Sequence, residues 1–199
     1  MSDAKGTRNS LRERDLFIEP DLTRADLSGT NLSEANLRRA ELSEANLTGA
    51  DLSGTNLSEA NLTGADLTEA SLTEAALSRA DLPSTDLSEA HLVKADLSEA
   101  ELMSADLESA TPVRANLFRA DLMRANLTGA NLTGADLTQA DLSGADLSGA
   151  DLSRADLREA NLTQEELEAA TGDENTRLPA ELNPPAHWGV KTNEQAKED

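Results

Sequence analysis

The stretch ANLTG-ANLTG-ADLTQ-ADLSG-ADLSG-ADLSR-ADLRE-ANL, residues 125–162, decides the fold of this chain. Leucine occupies every fifth position from residue 22 to residue 162, with Pro112 as the one exception in 29 places. Alanine lies two residues before these positions in 25 of the 29 cases, and the exceptions are Pro20, Thr30, Thr55 and Thr85. The residue between them is mostly Asp or Asn. The chain is therefore built from a five-residue unit, a pentad.

A period of five fits neither regular element. On an α-helix, five residues rotate by about 500°, so the leucines would spread around the axis. On a continuous strand, an odd period would put successive leucines on opposite faces. The chain must therefore turn once in each pentad, with Ala and Leu facing inward across a three-residue strand and the Asp or Asn facing outward. Glycine at the last position of a pentad supplies a positive φ where the turn type requires it: Gly29, Gly49, Gly54, Gly64, Gly129, Gly134, Gly144 and Gly149.

The repeated unit, a small residue followed by Asp or Asn, Leu and two variable residues, resembles the motif of the pentapeptide-repeat family. The resemblance covers about 145 of the 199 residues. It implies an all-β solenoid, a right-handed four-sided β-helix with four pentads per coil and about seven coils. Leucines would then stack at every twentieth residue. Pro112 would lie between Leu92 and Leu132 and weaken its coil, because proline lacks the backbone N–H.

The ends of the chain depart from the repeat. Residues 1–19 lack it and are expected to cover the first coil with Leu11, Leu16, Phe17 and Ile18. Residues 20–164 form the predicted β-helix, residues 165–189 a C-terminal helix and plug, and residues 190–199 a tail expected to be disordered.

The predicted C-terminal helix has its own sequence signals. Thr163 and Glu166 have capping-box spacing, which predicts a short α-helix that runs to about Ala170 and stops at Gly172. The following segment carries Trp188, the single tryptophan of the chain.

Composition limits the function. The net charge of -21 disfavours direct nucleic-acid binding, because contact with phosphates needs a basic face. Solubility, attraction to basic proteins and adaptation to high salt remain alternative explanations. There are no cysteines, no secretory signal is evident and no apolar stretch is long enough to span a bilayer, which together predict a cytoplasmic protein without membrane contact.

The sequence lacks the residue patterns of known catalytic and metal sites. The two histidines, His91 and His187, are far apart in sequence and have no further ligand at a metal-binding spacing. His187 beside Trp188 is interpreted as packing in the cap. No phosphate-binding loop, nucleophile motif or zinc-protease motif occurs. We therefore expect no enzyme activity, no cofactor and no metal site.

With a coil of twenty residues, the outward acids sort onto two adjacent faces, those of Leu22 and Leu27, whereas the Leu32 face is nearly neutral. The candidate acidic face consists of Asp66, Asp81, Asp86, Glu101, Asp106, Asp121, Asp141 and Asp146.

In the middle coils, the position after Leu changes from Ser or Thr to apolar residues, and basic residues lie nearby. This candidate contact belt consists of His91, Val93, Lys94, Met103, Val113, Arg114, Phe118, Arg119, Met123 and Arg124. Drift within a repeat explains such changes without a function. In the functional alternative, the belt binds a partner or a second copy, as in a homodimer, with Phe118 as the anchor.

The sequence is compatible with two functions. The first is a non-enzymatic, rigid, acidic scaffold for protein–protein interaction with an unknown partner. The second follows from the family resemblance: some pentapeptide-repeat proteins imitate duplex DNA, bind DNA gyrase or another type II topoisomerase, and protect it from quinolone-type inhibitors.

Overall fold

The computed structural model describes residues 20–189, of which residues 20–162 form a four-sided β-helix. Its sides pair through parallel β-bridges between residues twenty positions apart. The first coil shows the pattern in the pairs Asp21–Glu41, Asp26–Asn46, Asn31–Asp51 and Asn36–Asn56. We number the sides 1 to 4 by the leucine that each carries in this coil: Leu22, Leu27, Leu32 and Leu37. Each corner is named by the two sides that it joins, so residues 23–24 lie at corner 1–2.

Each side contributes a bridge one residue long rather than the predicted three-residue strand. On side 1, the Leu22 N–H donates to the Glu41 carbonyl at 2.7 Å, and the Arg24 N–H donates to the Ser43 carbonyl at 2.9 Å. The Ala25 N–H closes the turn on the Leu22 carbonyl, also at 2.9 Å. Seven steps of this twenty-residue register connect Asp21 to Asn161.

Every turn from residue 24 to residue 159 has a positive φ, between 56° and 72°, at its third residue. A positive φ at this position alone is characteristic of a type II turn. Glycine was expected at the positions with positive φ, but Glu, Arg, Ser, Lys and Gln adopt this conformation as well. Each such residue costs about 1–2 kcal/mol in this conformation. The hydrogen bonds of the coil therefore determine the turn conformation, and the turn residue adapts to it.

The core is a stack of leucines and alanines, and most of these side chains are fully buried. Two of the residues that replace alanine, Thr55 and Thr85, are also fully buried. Their hydroxyls donate to the carbonyls of Leu32 at 2.7 Å and Leu62 at 2.8 Å. Threonine is tolerated in this core because its hydroxyl has a backbone acceptor.

Pro112 interrupts the register on side 3. Thr111 forms no bridge with either neighbouring coil, although it is flanked by regular layers. The Leu92 N–H bonds to the Thr111 carbonyl at 3.3 Å, compared with 2.8 Å for the Leu72 N–H and the His91 carbonyl one layer below. The Thr111 hydroxyl oxygen is buried and has no hydrogen-bond partner.

The regular β-helix register ends after Asn161, and the chain forms helix α1, Gln164–Glu168. The predicted capping box between Thr163 and Glu166 is present, and the helix ends earlier than expected, with Ala169 as its C-cap. The chain then rejoins the sheet, because Thr171 bridges to Asp151 and Arg177 bridges to Asp156. Residues 165–189, which were predicted to form a helix and a plug, therefore also extend two sides of the β-helix.

A short 3₁₀ helix, Ala186–Trp188, folds back on this end. The Trp188 Nε1–H donates to the Ala170 carbonyl at 2.9 Å, and His187 Nε2 lies 2.8 Å from the same oxygen. Gly172 is required beneath the indole, because an added Cβ would lie 2.5 Å from Trp188. The contacts of His187 agree with its interpretation as a packing residue.

The predictions for residues 1–19 and for residues 190–199 lie outside the described residues. Between residues 20 and 189, no helix is long and apolar enough to cross a membrane.

Candidate protein-interaction surface

The outward Asp and Asn side chains stabilise the turns that follow them. Asp86 Oδ1 accepts a hydrogen bond from the Ser88 N–H at 2.9 Å, and Asn126 Oδ1 accepts one from the Thr128 N–H at 3.0 Å. The same bond recurs in most pentads of the coil, whether the residue is Asp or Asn. Asparagine satisfies the turn as well as aspartate does, so the fold does not require the negative charge.

The structure brings the eight predicted acidic residues onto sides 1 and 2, which meet at corner 1–2. We call them the acidic surface. Side 1 contributes Asp81, Glu101, Asp121 and Asp141 in consecutive layers, and side 2 contributes Asp66, Asp86, Asp106 and Asp146.

Within residues 20–189, no residue of the acidic surface forms an ion pair with Lys, Arg or His. Several acids at the corners do have cationic partners. Glu99 accepts a hydrogen bond from Arg79 at 2.8 Å, and Glu74 accepts one from Lys94 at 2.8 Å. The negative charge of the acidic surface is therefore uncompensated. Four acids on sides 3 and 4 also form no ion pair within residues 20–189, so sides 1 and 2 differ by carrying more acids: the four are Asp51, Asp96, Asp136 and Asp151.

Corner 4–1 carries a charge ladder that the sequence analysis missed. Its turn residues alternate in sign over most of the rod: Arg39, Glu59, Arg79, Glu99, Arg119, Gln139 and Glu159. The ladder continues through Gln139, whose Oε1 accepts from Arg119 Nε at 2.6 Å and whose Nε2 donates to Glu159 at 2.7 Å. Sorting the last position of each pentad by the twenty-residue coil would have revealed it.

Hydrogen bonds keep members of the acidic surface ionised. The hydroxyl and the N–H of Ser148 lower the pKa of Asp146 below its ordinary value. At Asp66, burial raises the pKa, but hydrogen bonds from Thr68 outweigh it and the net shift is downward. Both carboxylates are therefore charged at neutral pH.

The residues of the contact belt do not form one patch. Val93, Lys94, Val113 and Arg114 lie at corner 3–4, Phe118 and Arg119 at corner 4–1, and Met103, Met123 and Arg124 at corner 1–2, whereas His91 lies on side 3. Corners 1–2 and 3–4 are diagonally opposite, so a single flat partner contacts one group or the other.

Phe118, the expected anchor, is partly covered by its neighbour. The Arg119 Cζ lies 4.9 Å from the centre of the Phe118 ring, and Phe118 is half-buried. Met103 is more accessible, with 42% of its surface exposed, and is the one large hydrophobic residue exposed between residues 20 and 189. Corner 1–2 is therefore the most accessible apolar position on the described rod.

In the described part of the chain, no group of three or more His, Asp or Glu side chains is arranged to hold a metal ion. An open cavity of about 430 Å³ lies near the C-terminal end and is lined by Arg154, Asp156, Asn175 and Arg177. Its charged groups form ion pairs, since Arg177 Nη1 lies 3.2 Å from Asp156 Oδ2 and Arg154 Nε lies 3.9 Å from Asp173 Oδ2. The acids and the apolar corner between them thus form the principal candidate site.

The chain belongs to the pentapeptide repeat family. The family model for pentapeptide repeats matches in eight copies, over residues 21–58, 45–83, 84–111, 115–154 and 125–164. No curated protein matches the chain significantly.

Two solved structures are similar over most of the chain. HetL, a pentapeptide repeat protein involved in heterocyst differentiation regulation from the cyanobacterium Nostoc sp. strain PCC 7120, is 32% identical. The match covers 90% of this chain and 91% of HetL, with a TM-score of 0.51. QnrB1, a plasmid-mediated fluoroquinolone resistance protein, is 21% identical over 89% of this chain and 92% of its own, with a TM-score of 0.61. At that identity, the likeness to QnrB1 concerns the fold alone.

Proposed function

We propose that this protein is a non-enzymatic scaffold that binds a basic protein partner through the acidic surface. The scaffold is a right-handed four-sided β-helix of about seven coils, closed at its C-terminal end by α1 and the plug. The observation that carries the proposal is the uncompensated charge of the acidic surface on two adjacent sides.

The rigidity of the rod supports binding. Each side is held to the next coil by three backbone hydrogen bonds, as at Leu22, Arg24 and Glu41, whose N–H groups donate at 2.7, 2.9 and 3.0 Å. Carboxylates on such a frame are already in place before a partner arrives, so little conformational entropy is lost on binding. A dense field of one sign also accelerates the encounter with a partner of opposite charge.

The distribution of charge favours binding over solubility alone. A chain that needed charge only for solubility could carry it on any side, and asparagine would satisfy the turns equally well. Instead, acids occupy four consecutive layers of side 1, from Asp81 to Asp141, and three consecutive layers of side 2, from Asp66 to Asp106, whereas corner 4–1 alternates in sign. Like charges stacked at about 4.8 Å repel each other, a cost that a basic partner removes.

A DNA-mimic function is the second candidate, and the spacing of the acids is the observation that favours it. In the two layers that carry Asp81 with Asp86 and Glu101 with Asp106, the columns present a charge about every 2.4 Å along the rod, compared with about 1.7 Å along duplex DNA. Asparagine at positions 61 and 126 makes the spacing wider in other layers. In this alternative, the partner of the acidic surface is DNA gyrase or another type II topoisomerase. The test is a gyrase supercoiling assay with and without a quinolone, and no effect at micromolar protein would exclude this partner.

The test of the scaffold proposal separates the position of charge from its amount. An acidic-surface variant replaces four aspartates that each accept a turn hydrogen bond: Asp86→Asn, Asp106→Asn, Asp121→Asn and Asp141→Asn. A control variant makes the same change in net charge on sides 3 and 4 and also keeps the turn bonds: Asp51→Asn, Asp96→Asn, Asp136→Asn and Asp151→Asn.

Both variants should fold as the wild type does, because asparagine retains the oxygen that accepts the turn hydrogen bond. Binding of a fluorescein-labelled oligolysine is measured by fluorescence anisotropy at about 0.15 M salt. We expect the acidic-surface variant to bind about tenfold more weakly than the control variant. Equal weakening in the two variants would mean that net charge alone attracts the cation, and the proposal would be wrong.

A further inference from the structure

Three apolar residues occupy corner 1–2 in consecutive layers. Pro83, Met103 and Met123 are each the residue after the leucine of side 1. Their layers are hydrogen-bonded directly, because the Ser84 N–H donates to the Met103 carbonyl at 3.1 Å and the Ser104 N–H donates to the Met123 carbonyl at 2.9 Å. We call these three residues the methionine strip. Elsewhere on this corner the same position is hydroxylated: Thr23, Ser43, Thr63, Ser143 and Thr163.

The strip replaces side chains that normally bind the neighbouring carboxylate. At Ser143, the hydroxyl donates to Asp141 Oδ1 at 2.5 Å in addition to the backbone N–H at 2.9 Å. At Met123, only the backbone N–H reaches Asp121, also at 2.9 Å. Because methionine has no hydroxyl, the Asp121 carboxylate accepts one hydrogen bond fewer from its turn than Asp141 does. The methionine also places apolar surface beside this carboxylate.

The strip lies between the two columns of the acidic surface. Asp81, Glu101 and Asp121 flank it on side 1, and Asp86 and Asp106 flank it on side 2. Met103, at its centre, is 42% exposed. An apolar line with carboxylates on both sides is complementary to a segment that carries apolar side chains between two rows of cations.

We propose that the methionine strip is the anchor for a basic amphipathic helix of the partner, a statement that rests on the scaffold function proposed above. Layers of the strip are about 4.8 Å apart, close to the helical pitch of about 5.4 Å, so apolar side chains on successive turns meet successive layers. Lysine or arginine residues on either side of the helix's apolar face then lie against the carboxylates of sides 1 and 2. Methionine adapts its shape to different apolar groups, which suits contact with the apolar face of a helix.

Arg124 limits the strip at one end. It is the turn residue directly after Met123, it is exposed, and it forms no ion pair within residues 20–189. Its charge repels the cations of a basic helix and attracts a helix C-terminus or an acidic residue. The bound helix therefore places its basic part over Pro83 and Met103.

The experiment uses two labelled peptides of identical composition, each of about 18 residues or five helical turns. In the stripe peptide, leucines follow one face between lysines, and in the scrambled peptide the same residues have no periodicity. The full-length protein is tested as wild type, as Met103→Ser with Met123→Ser, and as a matched control, Val93→Ser with Val113→Ser at the opposite corner. Serine occurs naturally at corner 1–2, at Ser43 and Ser143, so the first variant keeps the pattern of the repeat.

We expect the wild type and the valine control to bind the stripe peptide about tenfold more tightly than the scrambled peptide in anisotropy titrations. The methionine variant should lose this preference and still bind both peptides through charge. Equal affinity of the wild type for the two peptides, or an unchanged preference in the methionine variant, would overturn the inference about the strip.

The acidic-surface variant keeps the two proposals apart, because it should bind both peptides more weakly than its control does. If its affinity is unchanged relative to that control, the scaffold proposal fails. If it binds weakly while the methionine variant keeps its preference for the stripe peptide, only the inference about the strip fails.

Discussion

Pro112 offers a direct measurement of what one layer of this β-helix contributes to stability. In the regular pattern, the N–H at each leucine position donates to a carbonyl of the next coil, as the Leu132 N–H does to the Asp151 carbonyl at 2.9 Å. Proline at position 112 cannot make the equivalent bond to Asn131. We predict that Pro112→Leu stabilises the protein.

The magnitude follows from three contributions. The restored hydrogen bond is worth about 1 kcal/mol. Filling the buried site with the larger side chain adds roughly 1–2 kcal/mol. Loss of the proline increases the entropy of the unfolded chain and subtracts about 0.4–1 kcal/mol. The net gain is about 1–2.6 kcal/mol, which corresponds to a rise in Tm of roughly 2–10 °C for a chain of this length.

Thermal unfolding followed by circular dichroism measures the effect. Leu132→Pro, one layer away on the same side, is the matched reverse change and should lower Tm. Thr111→Asn is a second gain-of-stability variant, because an asparagine oxygen could accept from the Val113 N–H as Asn131 does from the Thr133 N–H at 3.0 Å. A lower Tm for Pro112→Leu would show that the coil is adapted to proline and that the leucine register does not hold at residues 111–113.

Three further changes test the end of the rod, the turns and the ion pairs. Gly172→Ala should displace Trp188, since the new Cβ would lie 2.5 Å from the indole, and the emission of this single tryptophan should shift to longer wavelength. Gly149→Val should cost about 1–3 kcal/mol in urea unfolding through backbone strain alone, because φ is +69° and no atom lies within 4 Å of an added Cβ; a neutral result would mean that the turn can change its type. A hydrogen bond from Arg158 lowers the pKa of Asp156 below 3.8, so its stabilising effect is complete above about pH 4 and is lost as the pH falls through the lower, folded-state pKa. Asp156→Asn should therefore lower Tm at pH 7, and a difference from wild type that persisted undiminished at low pH would contradict this assignment.

The candidate site was predictable in part. The acidic surface follows from sorting the outward residues by a twenty-residue coil, and the structure brings those eight residues onto two adjacent sides. The contact belt was defined along the chain, and the coil distributes it over three corners. Met103 and Met123 remain together because they are twenty residues apart, whereas Phe118 lies at another corner with Arg119 over its ring.

The conformation of the turns could not be predicted from the residues of a single pentad. Glycine at a pentad end is a local signal for positive φ, yet Glu69 and Arg79 adopt the same conformation without being glycine. The hydrogen bonds that impose it join residues of different coils, so no single pentad contains the cause. The buried Thr55 is similar, because its acceptor, the Leu32 carbonyl, lies 23 residues away.

By itself, the sequence determined that the chain turns once per pentad, that leucine and alanine face inward, and that Asp and Asn face outward, because a five-residue period allows no regular helix or strand. The number of pentads per coil was supplied by the family resemblance and not by the pentad, since closure of a coil depends on the sum of four turns. Only the tertiary structure decided which side chains share a corner, which charges are paired and which carboxylates are left uncompensated. Those properties depend on contacts between residues twenty positions apart in the sequence, which lie in adjacent layers of the rod.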